Sequence, residues 1–120
     1  MIVVKVSTTG ITVDGHADYA ETGNDIICAA VSALSQSLIR SFETLTDDRV
    51  SYRITTGHMD ISYKNLSEKG KLLVDSFFIA VSDIQHTYGD VILSRLVDTF
   101  SSRILYPMLL LSGNHSIAVV

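Results

Sequence analysis

The chain has 120 residues, 47% hydrophobic and 18% charged, with 9 Lys and Arg against 13 Asp and Glu for a formal net charge of -4. A chain of this length buries about two-thirds of its unfolded surface around one core, which excludes a second independently folding domain. Scattered basic residues and mild acidity exclude a nucleic-acid binder that works by neutralising phosphates, and a single cysteine, Cys28, excludes an internal disulfide or a cysteine-built zinc site.

Ile2 to Ser7 and Ile11 to Gly15 are short β-branched segments separated by Thr8-Thr9-Gly10, which predicts a hairpin. The start of the chain thus reads as a strand rather than a secretory leader. From Asp25 to Phe42 the apolar residues Ile27, Val31, Leu34, Leu38 and Phe42 recur every three or four positions, so a helix is predicted there, with Asn24 or Asp25 as its cap. Val50 to Thr55 and Met59 to Tyr63 alternate again around Thr56-Gly57-His58 and predict a second hairpin. Ser67 opens a second helix whose stripe is Leu73, Phe77, Ala80, Val81, Ile84 and Tyr88; His86 suits its last turn and Gly89 stops it. Val91 to Leu93 is the last predicted strand. The order ββαββαβ specifies an α+β domain over residues 1–94, an antiparallel sheet covered by two amphipathic helices, followed by a tail over 95–120 that is not a separate domain. The tail's apolar run, Ile104 to Leu111, is too short for a membrane span and contains Pro107, so no membrane partner is expected.

The chemistry is concentrated between residues 15 and 34. His16 falls at a predicted strand end and Cys28 in a predicted first helical turn, so a loop folding back would bring imidazole and thiol together as base and nucleophile. The competing reading is structural: Ile26, Ile27, Ala29, Ala30 and Val31 surround Cys28 with apolar neighbours, as for a small core residue, and a lone histidine commonly serves a structural hydrogen bond.

This segment, Gly-His-Ala-x-Tyr-Ala-x-x-Gly-x-Asp-Ile-Ile-Cys-Ala-Ala-Val-Ser-Ala-Leu, closely resembles the signature of the bacterial ribosomal-processing cysteine protease family, Prp. The resemblance extends more weakly through the second helix and Tyr88-Gly89-Asp90 to about residue 94. It implies a small homodimeric cytoplasmic endopeptidase that removes a short N-terminal extension from protein twenty-seven of the large ribosomal subunit, or, in phage-borne relatives, processes a capsid or scaffold precursor. It places the nucleophile on Cys28 and the general base and acid on His16. Asp25 matches the motif and is a candidate to orient His16, with helix capping as the competing role. Ser32, one turn beyond Cys28, is a candidate neighbour of the site, or bonds its own backbone. Tyr19 is a candidate for a substrate groove, with Tyr52 or Tyr63 contributing from the sheet, and the loop from Ala17 to Asn24 a candidate gate.

Elsewhere His58, in a predicted turn, His86 and His115 share no metal-ligand spacing, and no metal or other cofactor is expected. Asp47-Asp48 reads as a solvated turn and Met59 as packing. Two rival functions remain: a non-enzymatic homodimeric peptide-binding module in ribosome assembly, and a redox-sensing thiol on Cys28.

Overall fold

The computed structural model describes residues 1–15, 22–89 and 91–95. Its elements are β1 (Ile2–Val6), β2 (Gly10–Asp14), α1 (Thr22–Leu45), β3 (Val50–Thr55), β4 (His58–Tyr63), α2 (Glu68–Tyr88) and β5 (Val91–Arg95). The predicted order ββαββαβ is therefore observed. The strands form one sheet in the order β3-β4-β2-β1-β5. Its pairs are antiparallel except at one edge, where β5 lies parallel to β1 with Ile2 opposite Val91. The parallel pair arises because α2 carries the chain across the sheet before β5, a connection no hairpin can make.

Period-two burial decides which face of the sheet is covered. In β1 the side chains of Ile2, Val4 and Val6 are buried while Lys5 is exposed, and in β4 Met59, Ile61 and Tyr63 are buried. These residues face α1 and α2, which supply Ile27, Val31, Leu38, Ile39 and Phe42 from the first helix and Val74, Phe77, Phe78 and Val81 from the second. The predicted stripe of α1 is thus the core stripe, apart from the half-buried Leu34. Tyr88 departs from its predicted place: it is 56% exposed in the last turn of α2, beyond the edge of the sheet's cover. Tyr52 and Ile54 of β3 lie in register with Ile61 and Met59 on the covered face, yet both stay half-exposed because the helices cover this edge strand only in part.

The turns explain the boundaries. In the first hairpin the Ser7 hydroxyl accepts from the N–H groups of Thr9 and Gly10 at 3.2 Å each. Gly10 opens β2, and a Cβ there would overlap the carbonyl oxygen of Ile61 on the neighbouring strand, so a side chain would force β2 and β4 apart. α1 starts at Thr22 and continues to Leu45, longer than predicted at both ends. Asn24 and Asp25 are therefore inside its first turn rather than at its cap. The helix ends where the Thr46 hydroxyl and N–H both donate to the Phe42 carbonyl, at 2.9 and 3.3 Å.

Ser67 caps α2 as predicted, its hydroxyl accepting from Gly70 N–H at 3.1 Å. Asp48, predicted to be a solvated turn residue, instead accepts from the Ser67 N–H at 3.0 Å and hydroxyl at 2.8 Å. Gly89 ends the helix in the left-handed region at φ 78°, donating to the Gln85 carbonyl. Arg95, the last residue of β5, covers the Phe78 ring at 5.0 Å and pairs with the buried Asp75 at 3.3 Å. The strand therefore runs one residue beyond the predicted domain boundary.

Candidate active site

A cavity of about 300 Å³ lies where the covered face of the sheet meets α1. Cys28, Val31 and Ser32 line it from the helix, Val13, Ile54 and Met59 from the sheet, and the turn residues Thr56 and Gly57 close one end. The helical period explains the first group, since positions 28, 31, 32 and 35 fall on one face. Ser35 is fully buried at the cavity's base and donates to the Val31 carbonyl at 2.7 Å. That is the back-bonding role weighed for Ser32; Ser32 itself is exposed and lines the cavity one turn from Cys28.

Cys28 is half-buried, packed against the edge of the core and open to the cavity. Its position in the helix differs from the expected one. α1 begins at Thr22, so Cys28 sits in the second turn. There its N–H is committed to the carbonyl four residues back, and the free N–H groups of the helix lie before it. A backbone donor for an oxyanion at Cys28 is thus not supplied by its own N–H, and its thiol stands farther from the positive end of the dipole than a first-turn residue would.

Of the other candidates, His16 and Tyr19 lie outside the described residues, as do the Ala17-to-Glu21 part of the predicted gate and the side chain of Asp25. Tyr63 is not available to a groove. It is 4% exposed, stacks in a tilted arrangement with Phe42 and donates its hydroxyl to the Ser7 carbonyl at 2.9 Å. Burial pushes its phenol up to about 12. Tyr52 is half-exposed on β3 and does not line the cavity, whereas its neighbour Ile54 does.

One group near the cavity was not singled out for chemistry by sequence reasoning. His58, predicted to be a turn residue, is the first residue of β4 and borders the cavity, with its side chain on the face of the sheet opposite that of Met59. Its ring contacts Asp14 through Nδ1 and Asp60 through Nε2, the latter at 3.0 Å. Arg53 of β3 pairs in turn with Asp60 at 3.3 Å. The hydrogen bond to Asp14, then that to Asp60, hold the imidazolium form above its usual range. His58 in return holds the Asp60 carboxyl below its own. The cross-strand alternation of Asp14, His58 and Asp60 was the signal in the sequence, but using it required the β2–β4 register. Among the described residues no group of three or more His, Cys, Asp or Glu is arranged to hold a metal ion.

The family model described as cysteine protease Prp matches residues 1–93. The chain belongs to the Prp family. It is 30% identical over 85 residues to the ribosomal processing cysteine protease Prp of Staphylococcus aureus, covering 68% of this chain and 80% of that protein. It is 46% identical over 44 residues to the Prp of Mycoplasma pneumoniae, 37% of this chain and 44% of that one. A crystal structure of Staphylococcus aureus Prp with a covalently linked product peptide superposes with a TM-score of 0.72 at 25% identity, covering 80% of this chain and 100% of that one. A second, with a substrate peptide, supports the fold at a TM-score of 0.74 and 24% identity, with the same coverage. A Prp-family fold with a half-buried cysteine on a cavity is the setting of a cysteine protease and hence of a hydrolase.

Proposed function

We propose that the protein is a cysteine endopeptidase that removes a short N-terminal extension from a large-subunit ribosomal protein precursor, with Cys28 as nucleophile and His16 as general base and acid. The observation that carries this reading is the position of the chain's single cysteine: half-buried on α1, at a cavity whose opposite wall is the edge of the sheet. In this mechanism His16 takes the thiol proton, the thiolate attacks the scissile carbonyl, and the tetrahedral adduct expels the amine, protonated by His16, to leave a thioester. Water, activated by the same imidazole, releases the acyl group and restores the thiol. Asp25 orients His16 and Tyr19 contributes to the groove.

The sheet supplies a means of holding an extended peptide. β3 is an edge strand, bonded on one side to β4 only, and Ile54 and Thr55 bring it to the cavity. A peptide added along that edge gains main-chain hydrogen bonds while one or two side chains enter the 300 Å³ space. The protein acts in the cytoplasm as a homodimer; no helix among the described residues is long and apolar enough to cross a membrane.

The test is a mass spectrum of the precursor before and after treatment with wild type, Cys28→Ala, Cys28→Ser and His16→Ala. Wild type shortens the precursor at a single bond, and each variant lowers the rate by at least about 10³-fold. Binding by all four proteins without product overturns the protease reading in favour of a peptide-binding module. A phage capsid or scaffold precursor run in parallel, cut in preference to the ribosomal one, moves the substrate assignment. Sedimentation velocity reads the oligomeric state, with a single monomer-sized species overturning the dimer.

A further inference from the structure

We propose that His58 is a positioning residue for the cavity beside Cys28: clamped between Asp14 and Asp60, it fixes the end of β2 and the β3–β4 turn as the wall that faces the thiol. The inference deepens the protease reading and rests on it for its meaning, though not for its test. It starts from strand alternation. Asp14 and His58 are cross-strand partners, and so are Val13 and Met59 in the next row. Val13 and Met59 point toward the helices and line the cavity, so Asp14 and His58 point to the other face of the sheet. The clamp therefore grips the wall from behind. It acts at the wall's free end, where Gly15 N–H donates to the Gly57 carbonyl at 3.0 Å and the regular strand pairing stops.

The chemistry of the ring makes this clamp conditional. A neutral imidazole has one N–H and can donate to one carboxylate; engaging Asp14 and Asp60 at once takes the imidazolium, with an N–H on each side. Among the described residues the charged groups around the ring are Asp14 from β2, Asp60 from β4 and Arg53 from β3, which pairs with Asp60; Lys5 of β1 occupies the same row as Asp60, across Thr12. Deprotonation of His58 releases one carboxylate and, among the described residues, leaves Asp14 and Asp60 with no cation bridging them, Arg53 pairing with Asp60 alone. The stabilisation is complete below the ordinary histidine value of 6.5 and disappears as pH rises through the raised value in the folded protein. The wall loosens on the alkaline side.

The experiment uses the full chain and two readouts. The first is the alkylation rate of Cys28, the chain's single cysteine, by neutral iodoacetamide as a function of pH, beside the titration of the His58 ring followed by NMR. The second is the KM and kcat of precursor cleavage. In wild type the alkylation profile carries an inflection coincident with the His58 titration, besides that of the thiol. His58→Gln removes that inflection and raises KM about tenfold with kcat within about twofold, the signature of lost positioning in a binding wall. Asp14→Asn, which keeps the ring, moves the inflection toward 6.5 and serves alone if His58→Gln does not fold. The proposal is overturned if the folded variants match wild type in alkylation profile and, where cleavage occurs, in KM. Absence of cleavage by wild type refutes the protease reading, and the alkylation profiles still decide the role of His58.

Discussion

Tyr63 illustrates how a single buried polar group makes stability depend on pH. Its phenol is held at about 12 against an ordinary value of 10.0, so the folded state keeps its proton where the unfolded state loses it. The contribution is complete below pH 10 and falls away as pH rises toward 12, by about 2–3 kcal/mol in all. Tyr63→Phe removes the bond to the Ser7 carbonyl and costs about 1 kcal/mol at neutral pH. It also removes this alkaline loss, so that urea titrations of wild type and variant converge and then cross between pH 10 and 12. Curves that stay parallel across that range refute the assignment. The residue scale is also where sequence reading did least well. Tyr63 and Asp48 have side chains that suit either solvent or a buried bond. Only the fold shows that one is sealed beneath Phe42 and the other bonded to a helix cap.

At the scale of elements, the start of α2 is held by a relay in which Asp48 bonds Ser67 and Ser67 bonds Gly70. Ser67→Ala removes the cap and costs about 1 kcal/mol. Asp48→Ala removes two charge-assisted bonds and costs about 1–2 kcal/mol at this exposed site. The double variant costs less than the sum, because once Ser67 lacks its hydroxyl Asp48 has lost one of its partners; thermal melts of the four proteins measure the difference. Additive losses refute the relay. Helix α1 behaves differently, since the hydrophobic period that revealed it describes only the part in contact with the sheet. Ile27 to Phe42 were legible for that reason. The first turn from Thr22 carries no apolar stripe to announce it, so the expected cap fell inside the helix and Cys28 one turn deeper than expected.

For the whole molecule, the architecture was legible because every segment agreed with its period: alternating β-branched strands, two amphipathic helices, and turn residues between them. Proximity of groups distant in sequence was not. The meeting of Cys28 with β3 and β4 at one cavity, and of His58 with Asp14, 44 positions apart, depends on strand order, which places β4 between its hairpin partner β3 and the distant β2. Phe42 binds these layers together. It is 1% exposed, its ring centroid is 6.1 Å from that of Tyr63 in the sheet, and Gly70 of α2 lies close against its edge. Phe42→Ala should lower stability by about 3–5 kcal/mol in urea denaturation, with an unchanged m-value; a loss below 1 kcal/mol means the layers are held elsewhere.

Strand β1 has β2 on one side and β5 on the other, so it is flanked by one partner that follows it at once and another synthesised some 90 residues later. Joining them closes a long loop, and contacts of such separation form late and slowly. During translation the hairpin of β1 and β2 therefore waits with one flank bare, and the lining of the thiol cavity by Ile2 depends on a strand synthesised long after it. A nascent chain that has not yet made β5 lacks the seating of β1, so the cavity beside Cys28 takes its final shape only once that strand has been made.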